Sequence, residues 1–175
     1  MRNRPTPTSH EVKLGEEELI ISKTDISGRL TYTNRTFMEI SGYYEQELLG
    51  VQHNIIRHPD MPRGVFRMLW STLKAKSEFL GFVKNLCKDG SYYWVFASVT
   101  PDVDRGGNVV GYYSVRRQPP STAIRTIESI YQKMLNVEQS APSKKVAPDQ
   151  SIDFLNDLLR SKGTDYERFV LELYG

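Results

Sequence analysis

The short apolar run Leu19, Ile20 and Ile21 followed by polar residues in "ELIISKTD" reads as a first strand. "SGRLTYTN" follows as a turn entering a second strand, with the glycine relieving the bend. After Asn34 the period changes. Phe37, Ile40 and Ser41 lead into "SGYYEQELLG", short helical turns closed by glycines. The stretch "HNIIRHPDMP", residues 53–62, cannot continue as a helix because of its prolines. Helical spacing resumes in "RGVFRMLWSTLKA", where Phe66, Leu69, Trp70 and Leu73 share one face. From Phe79 the pattern is β: "FLGFVKNLCK", "SYYWVFASVTP" and "NVVGYYSVRR" are rich in aromatic and β-branched residues. Asp89-Gly90 joins the first two as a tight turn, and "DRGGN" joins the second and third. The expected class is α+β, a five-stranded antiparallel sheet with a helical crossover on one face.

The two ends read differently. Residues 1–16 are polar and proline-bearing and are expected to form a flexible arm ahead of a domain over 17–120. Beyond Pro119-Pro120, Ile124, Ile127, Tyr131, Met134 and Leu135 make the stripe of an amphipathic helix over 121–137. "QSAPSKKVAPD" reads as a linker over 138–149, and a pair of C-terminal helices occupies 150–175. The stripe, and the pair with its Leu155, Leu158, Phe169 and Leu173, either bind a partner, fold back on the sheet or form a homodimer.

Composition narrows the function classes. The 175 residues are 39% hydrophobic and 25% charged, as in an ordinary globular chain. A net charge of +2 gives no electrostatic footprint for nucleic acid. Cys87 is the single cysteine, so neither an internal disulfide nor a cysteine zinc cage can form. His53 and His58 are five apart, which does not fit the i, i+4 zinc pattern, and no nucleophile–base pairing or phosphate loop is visible. The N-terminus has no secretory signal, and no apolar run approaches the ~20 residues of a membrane helix. The expectation is a non-enzymatic cytoplasmic protein without direct membrane insertion.

The strings "SGY", "ELLG", "HNIIRHPDMP", "FVKN", "KDGSYYWV" and "GYYSVR" resemble a PAS domain, and more closely the PAS sensors of bacterial aerotaxis receptors. The similarity runs over about residues 18–137. It implies non-covalent FAD, signalling by flavin redox state in response to oxygen or energy status, and a methyl-accepting chemotaxis-type transducer as partner in trans. Carried over position by position, the cofactor-side residues are Asn34, His53, Arg57, His58, Asp60, Trp70 and Asn85. Where flavin-binding members carry a tryptophan, this chain has Phe79, which keeps a flat face and loses the indole N–H. Light-sensing relatives place a cysteine on the crossover, where this chain reads "HNIIRHPD"; a photoreceptor is therefore rejected.

The residues allow this chemistry in their own right. Phe79, Phe82, Trp70, Trp94 and Phe96 can wall a ring, Asn85 can offer donor and acceptor to a ring edge, and Arg57 and His58 can meet phosphates. Each also has a plain structural role available. Asn34 can N-cap a helix, Asp60 can hold a turn and pair with Arg57, and Trp70 can be core. Two other readings stand beside the flavin sensor: a cofactor-free PAS interaction module, and a heme sensor ligated by His53 or His58.

Overall fold

A computed structural model describes residues 4–175. Strands β1 (Ile20–Asp25) and β2 (Leu30–Thr33) precede helices α1 (Arg35–Ser41) and α2 (Glu45–Leu48), a 3₁₀ turn (His53–Ile56) and α3 (Arg63–Lys74). Strands β3 (Phe79–Leu86), β4 (Tyr92–Val103) and β5 (Val109–Arg117) follow, then α4 (Ser121–Ser140), α5 (Ala147–Ser161) and α6 (Tyr166–Tyr174). The five strands form one antiparallel sheet in the order β2-β1-β5-β4-β3. The α+β architecture expected from the hydrophobic periods is the one found.

Strand alternation decides what each face carries. Val83, Asn85, Ala97, Val99, Ser114 and Arg116 point toward the crossover and α3. Phe82 pairs with Phe96 and Lys84 with Trp94 in register, so these side chains point to the opposite face. There α4 and α6 cover them: Tyr131 packs beside Trp94 at 6.3 Å and Tyr174 stacks on Phe96 at 4.2 Å. The buried stripe of α4 includes the expected Ile127, Tyr131 and Met134. Of the options left open by sequence, the C-terminal helices fold back on their own domain.

Three boundaries shift. Residues 8–14, read as part of a flexible arm, are tied to the start of β4. The Thr8 N–H donates to the Gly90 carbonyl at 2.8 Å, the Val12 N–H to the Tyr92 carbonyl at 2.7 Å, and Leu14 is buried. An extended segment lies there because the β3–β4 turn, with Gly90 at φ +93°, leaves edge groups unpaired. Helix α4 runs to Ser140 and α5 starts at Ala147 with Pro148 in its first turn, so the expected linker shrinks to residues 141–146.

Candidate functional site

Between α3 and the sheet lies a cavity of about 200 Å³. Helix α3 supplies Phe66, Leu69, Trp70 and Leu73, the face its spacing foretold. Trp70, 37% exposed, sits over the rim. Its ring meets Tyr112 edge-on at 5.3 Å and lies against the β1–β2 turn, where a β-carbon on Gly28 would come within 3.4 Å of it. Pockets that enclose a whole drug-sized ligand hold roughly 300–1,000 Å³. This one suits a planar ring system, with any longer tail left at the rim.

The polar groups of the cavity converge. Arg116, at the inward end of β5, is 6% exposed. Its Nη2 donates to His53 Nε2 at 2.9 Å and its Nη1 to Ser22 Oγ at 3.2 Å. A guanidinium only donates, so His53 Nε2 is the acceptor and the ring is neutral with its proton on Nδ1. Burial and the Arg116 charge both hold the His53 pKa well below 6.5. Burial lowers Arg116 itself from 12.5 to about 10, which leaves it charged at neutral pH. Three buried polar atoms on this lining have no hydrogen-bond partner among the described residues: Asn85 Nδ2, Ser114 Oγ and Arg116 Nε. Buried polar atoms are rarely left unpaired, so three on the residues of one cavity single this lining out. At the cavity margin the Arg57 guanidinium lies 3.9 Å over the Phe66 ring. Burial lowers its pKa, Glu138 opposes that, and Arg4 and Arg63 reinforce it.

The structure brings together four of the eight residues singled out by sequence: His53, Arg57, Trp70 and Asn85. Asn34 is a helix cap. Its Oδ1 accepts from the N–H groups of Phe37 and Ile21, at 3.1 and 3.0 Å, and its Nδ2 donates to the Leu19 carbonyl. His58 and Asp60 turn away from the cavity, His58 remaining buried. His58 Nδ1 accepts from the Asp60 N–H at 3.1 Å, and the Asp60 carboxylate pairs with Lys84 at 2.8 Å rather than with Arg57. Burial and the Lys84 charge lower the His58 pKa. Phe79 stacks on Tyr166 of α6 at 5.9 Å and is absent from the lining, because a C-terminal helix takes up its ring. The proposed ring walls Phe82, Trp94 and Phe96 belong to the other face of the sheet, as pairing register dictates. Cys87 donates to the Ile40 carbonyl away from the cavity.

Arg116, Ser22 and Ser114 were missed by sequence reasoning. A signal was present: Ser114 and Arg116 alternate within "GYYSVRR" on the inward face of an otherwise apolar strand.

Comparison with known proteins agrees with this geometry. Residues 30–116 match the family model described as the PAS fold. The chain carries a PAS domain. Over 141 residues it is 39% identical to the aerotaxis receptor of Escherichia coli (strain K12), covering 81% of this chain and 28% of that protein. The nitrogen fixation regulatory protein of Klebsiella pneumoniae is 28% identical over 102 residues, 58% of this chain and 21% of that one. The chain thus spans under a third of the length of these curated relatives. Among solved structures, the PAS fold superposes on the dark structure of the blue-light photoreceptor Aureochrome1 LOV with a TM-score of 0.56 and 20% identity, covering 68% of this chain and 86% of that one. Among the described residues no helix is long and apolar enough to cross a membrane.

Proposed function

We propose that this chain is a redox sensor that holds FAD non-covalently in the α3–sheet cavity. Through its PAS domain it passes oxygen or energy status to a methyl-accepting chemotaxis-type transducer on a separate chain in the cytoplasm. One observation carries the reading: Asn85, Ser114 and Arg116, each with a buried side-chain donor that has no partner among the described residues, line one cavity with Trp70, Leu69 and Phe66. The relationship to the aerotaxis receptor supports it. A bound flavin would supply a reversible electron acceptor.

The protein's own groups then have separate tasks. Leu69, Leu73, Val83 and Val99 exclude water from the ring site. Arg116 presents a fixed positive charge to its edge, and His53 and Ser22 hold that guanidinium in place. Asn85 can turn either its amide donor or its acceptor toward the edge, a choice that follows the charge it meets. Its strand residue is bridged to Arg57 on the crossover, so a turned amide biases both segments. Arg57 at the margin suits an anionic tail in forked geometry.

The heme alternative loses its ligands. His53 Nε2 is committed to Arg116 and Ser22, and His58 lies off the cavity. The test of the flavin reading is the visible absorption spectrum of the purified protein, before and after incubation with FAD and after dithionite. A flavin band that bleaches on reduction is expected. A protein still colourless after incubation overturns the reading and leaves a cofactor-free interaction module.

A further inference from the structure

Helix α3 has two faces with two attachments. The inner one lines the cavity with Phe66, Leu69, Trp70 and Leu73. Its N-terminus lacks a local cap, since Pro62 offers no side-chain acceptor. The Glu138 carboxylate at the far end of α4 takes that role, accepting from the N–H groups of Arg63 at 3.0 Å and Gly64 at 2.8 Å. Ser151 of α5 donates to the same carboxylate at 2.8 Å. Arg63 donates to the Lys144 carbonyl at 2.8 Å, and Arg67 pairs with Asp149 at 2.5 Å. The fit is close enough that a β-carbon at Gly64 would collide with the Ser151 hydroxyl and lie 3.0 Å from the Pro148 carbonyl.

The other cavity wall, β3, is gripped by the middle of α4. Tyr131 donates its hydroxyl to the Phe82 carbonyl at 2.8 Å, and Glu128 lies 3.8 Å from Lys84. Phe82 and Lys84 flank Val83, and Lys84 precedes Asn85, both on the cavity lining. From Tyr131 to Glu138 is one unbroken helical stretch, about 10 Å at 1.5 Å per residue. One wall is therefore fastened to the other through a rigid ruler. The walls cannot part without breaking the Glu138 cap or the Tyr131 bond.

We infer that α4 and α5 form a strap that sets the separation of the two cavity walls, so that ligand occupancy and strap docking are linked. The linkage rests on the flavin reading, whereas the setting of the wall does not. Linkage is reciprocal: if loosening the strap changes ligand affinity, ligand changes strap docking by the same factor.

The test uses the full chain with Gly64→Ala, which displaces α5 while favouring helix in α3, and Gly64→Ala/Ser151→Ala, which removes the main collision. With Trp94→Phe as background, Trp70 is the only tryptophan. Gly64→Ala is expected to shift Trp70 emission and raise its acrylamide quenching severalfold, with return toward the parent in the double variant. FAD affinity should change on the order of fivefold or more in Gly64→Ala, and FAD should alter hydrogen exchange in α5 of the parent. Unchanged Trp70 emission and quenching overturns the strap. A changed Trp70 with no FAD bound by any variant removes the flavin reading alone. A changed Trp70 with FAD affinity and α5 exchange unaltered overturns the linkage.

Discussion

Arg116→Met separates a binding role from a structural one, because the two predict opposite signs. In the ligand-free protein the guanidinium is buried beside two neutral partners, and burial is the leading cause that lowers its pKa from 12.5 to about 10. That drop corresponds to about 3 kcal/mol withheld from the charged form by the fold. The sign follows from linkage: a base with a lowered folded pKa destabilises the fold at every pH below about 10, including neutrality. Removing the charge relieves that penalty and forfeits two hydrogen bonds of about 1 kcal/mol each. His53 Nε2 retains Ser22 at 3.3 Å. The ligand-free variant should therefore be as stable as the parent or more stable by about 1 kcal/mol. Flavin binding should weaken about 10- to 100-fold, since a charged hydrogen bond is worth roughly 1.5–3 kcal/mol. Urea unfolding of the ligand-free protein and a flavin fluorescence titration give the two numbers. Loss of about 2 kcal/mol in stability with unaltered flavin affinity would show that Arg116 is only a brace for β1 and the 3₁₀ turn.

Four further outcomes follow from the geometry. Phe79→Trp, which restores the residue of flavin-binding relatives, should destabilise by about 1–3 kcal/mol through overpacking against Tyr166 and leave flavin affinity unchanged; a tighter complex would contradict the placement of Phe79. Stability should decline as pH falls below 6.5, because unfolding frees His53 to take a proton it cannot hold when buried, and His53→Gln should flatten that slope in urea titrations at pH 5–7. Tyr131→Phe should cost about 1 kcal/mol in thermal unfolding by removing the bond to the Phe82 carbonyl. Gly81→Ala should loosen α6 and raise proteolysis within 162–175, since a β-carbon there would approach the Tyr166 hydroxyl to 2.6 Å.

Much of the fold was legible because β3, β4 and β5 are rich in aromatic and β-branched residues and the turns carry glycine where φ is positive, as at Gly28, Gly90 and Gly107. The inward placement of Asn85 on the cavity lining was legible as well: a polar amide inside a strand pattern demands a partner. The C-terminal helices were not placed, because an amphipathic stripe says that a face is covered and not by what. That one gap explains the error at Phe79, whose ring belongs to α6, and the error over Phe82, Trp94 and Phe96, which α4 and α6 cover.

The "RHPD" string shows why a motif contiguous in sequence can serve two places in space. Arg57 pairs with Asn85 as an antiparallel bridge, so successive residues leave that point in opposite directions. Arg57 and Asn85 turn to the cavity, while His58, Asp60 and Lys84 turn to the side that α4 approaches through Glu128. The basic cluster that sequence assigned to one pocket mouth is thus divided by the edge of β3. One half lines the cavity, the other meets α4, and the bridge between them is a shared piece of backbone. Along β3 the cavity lining at Asn85 and the ion pairs of Lys84 with Asp60 and Glu128 are therefore one peptide apart.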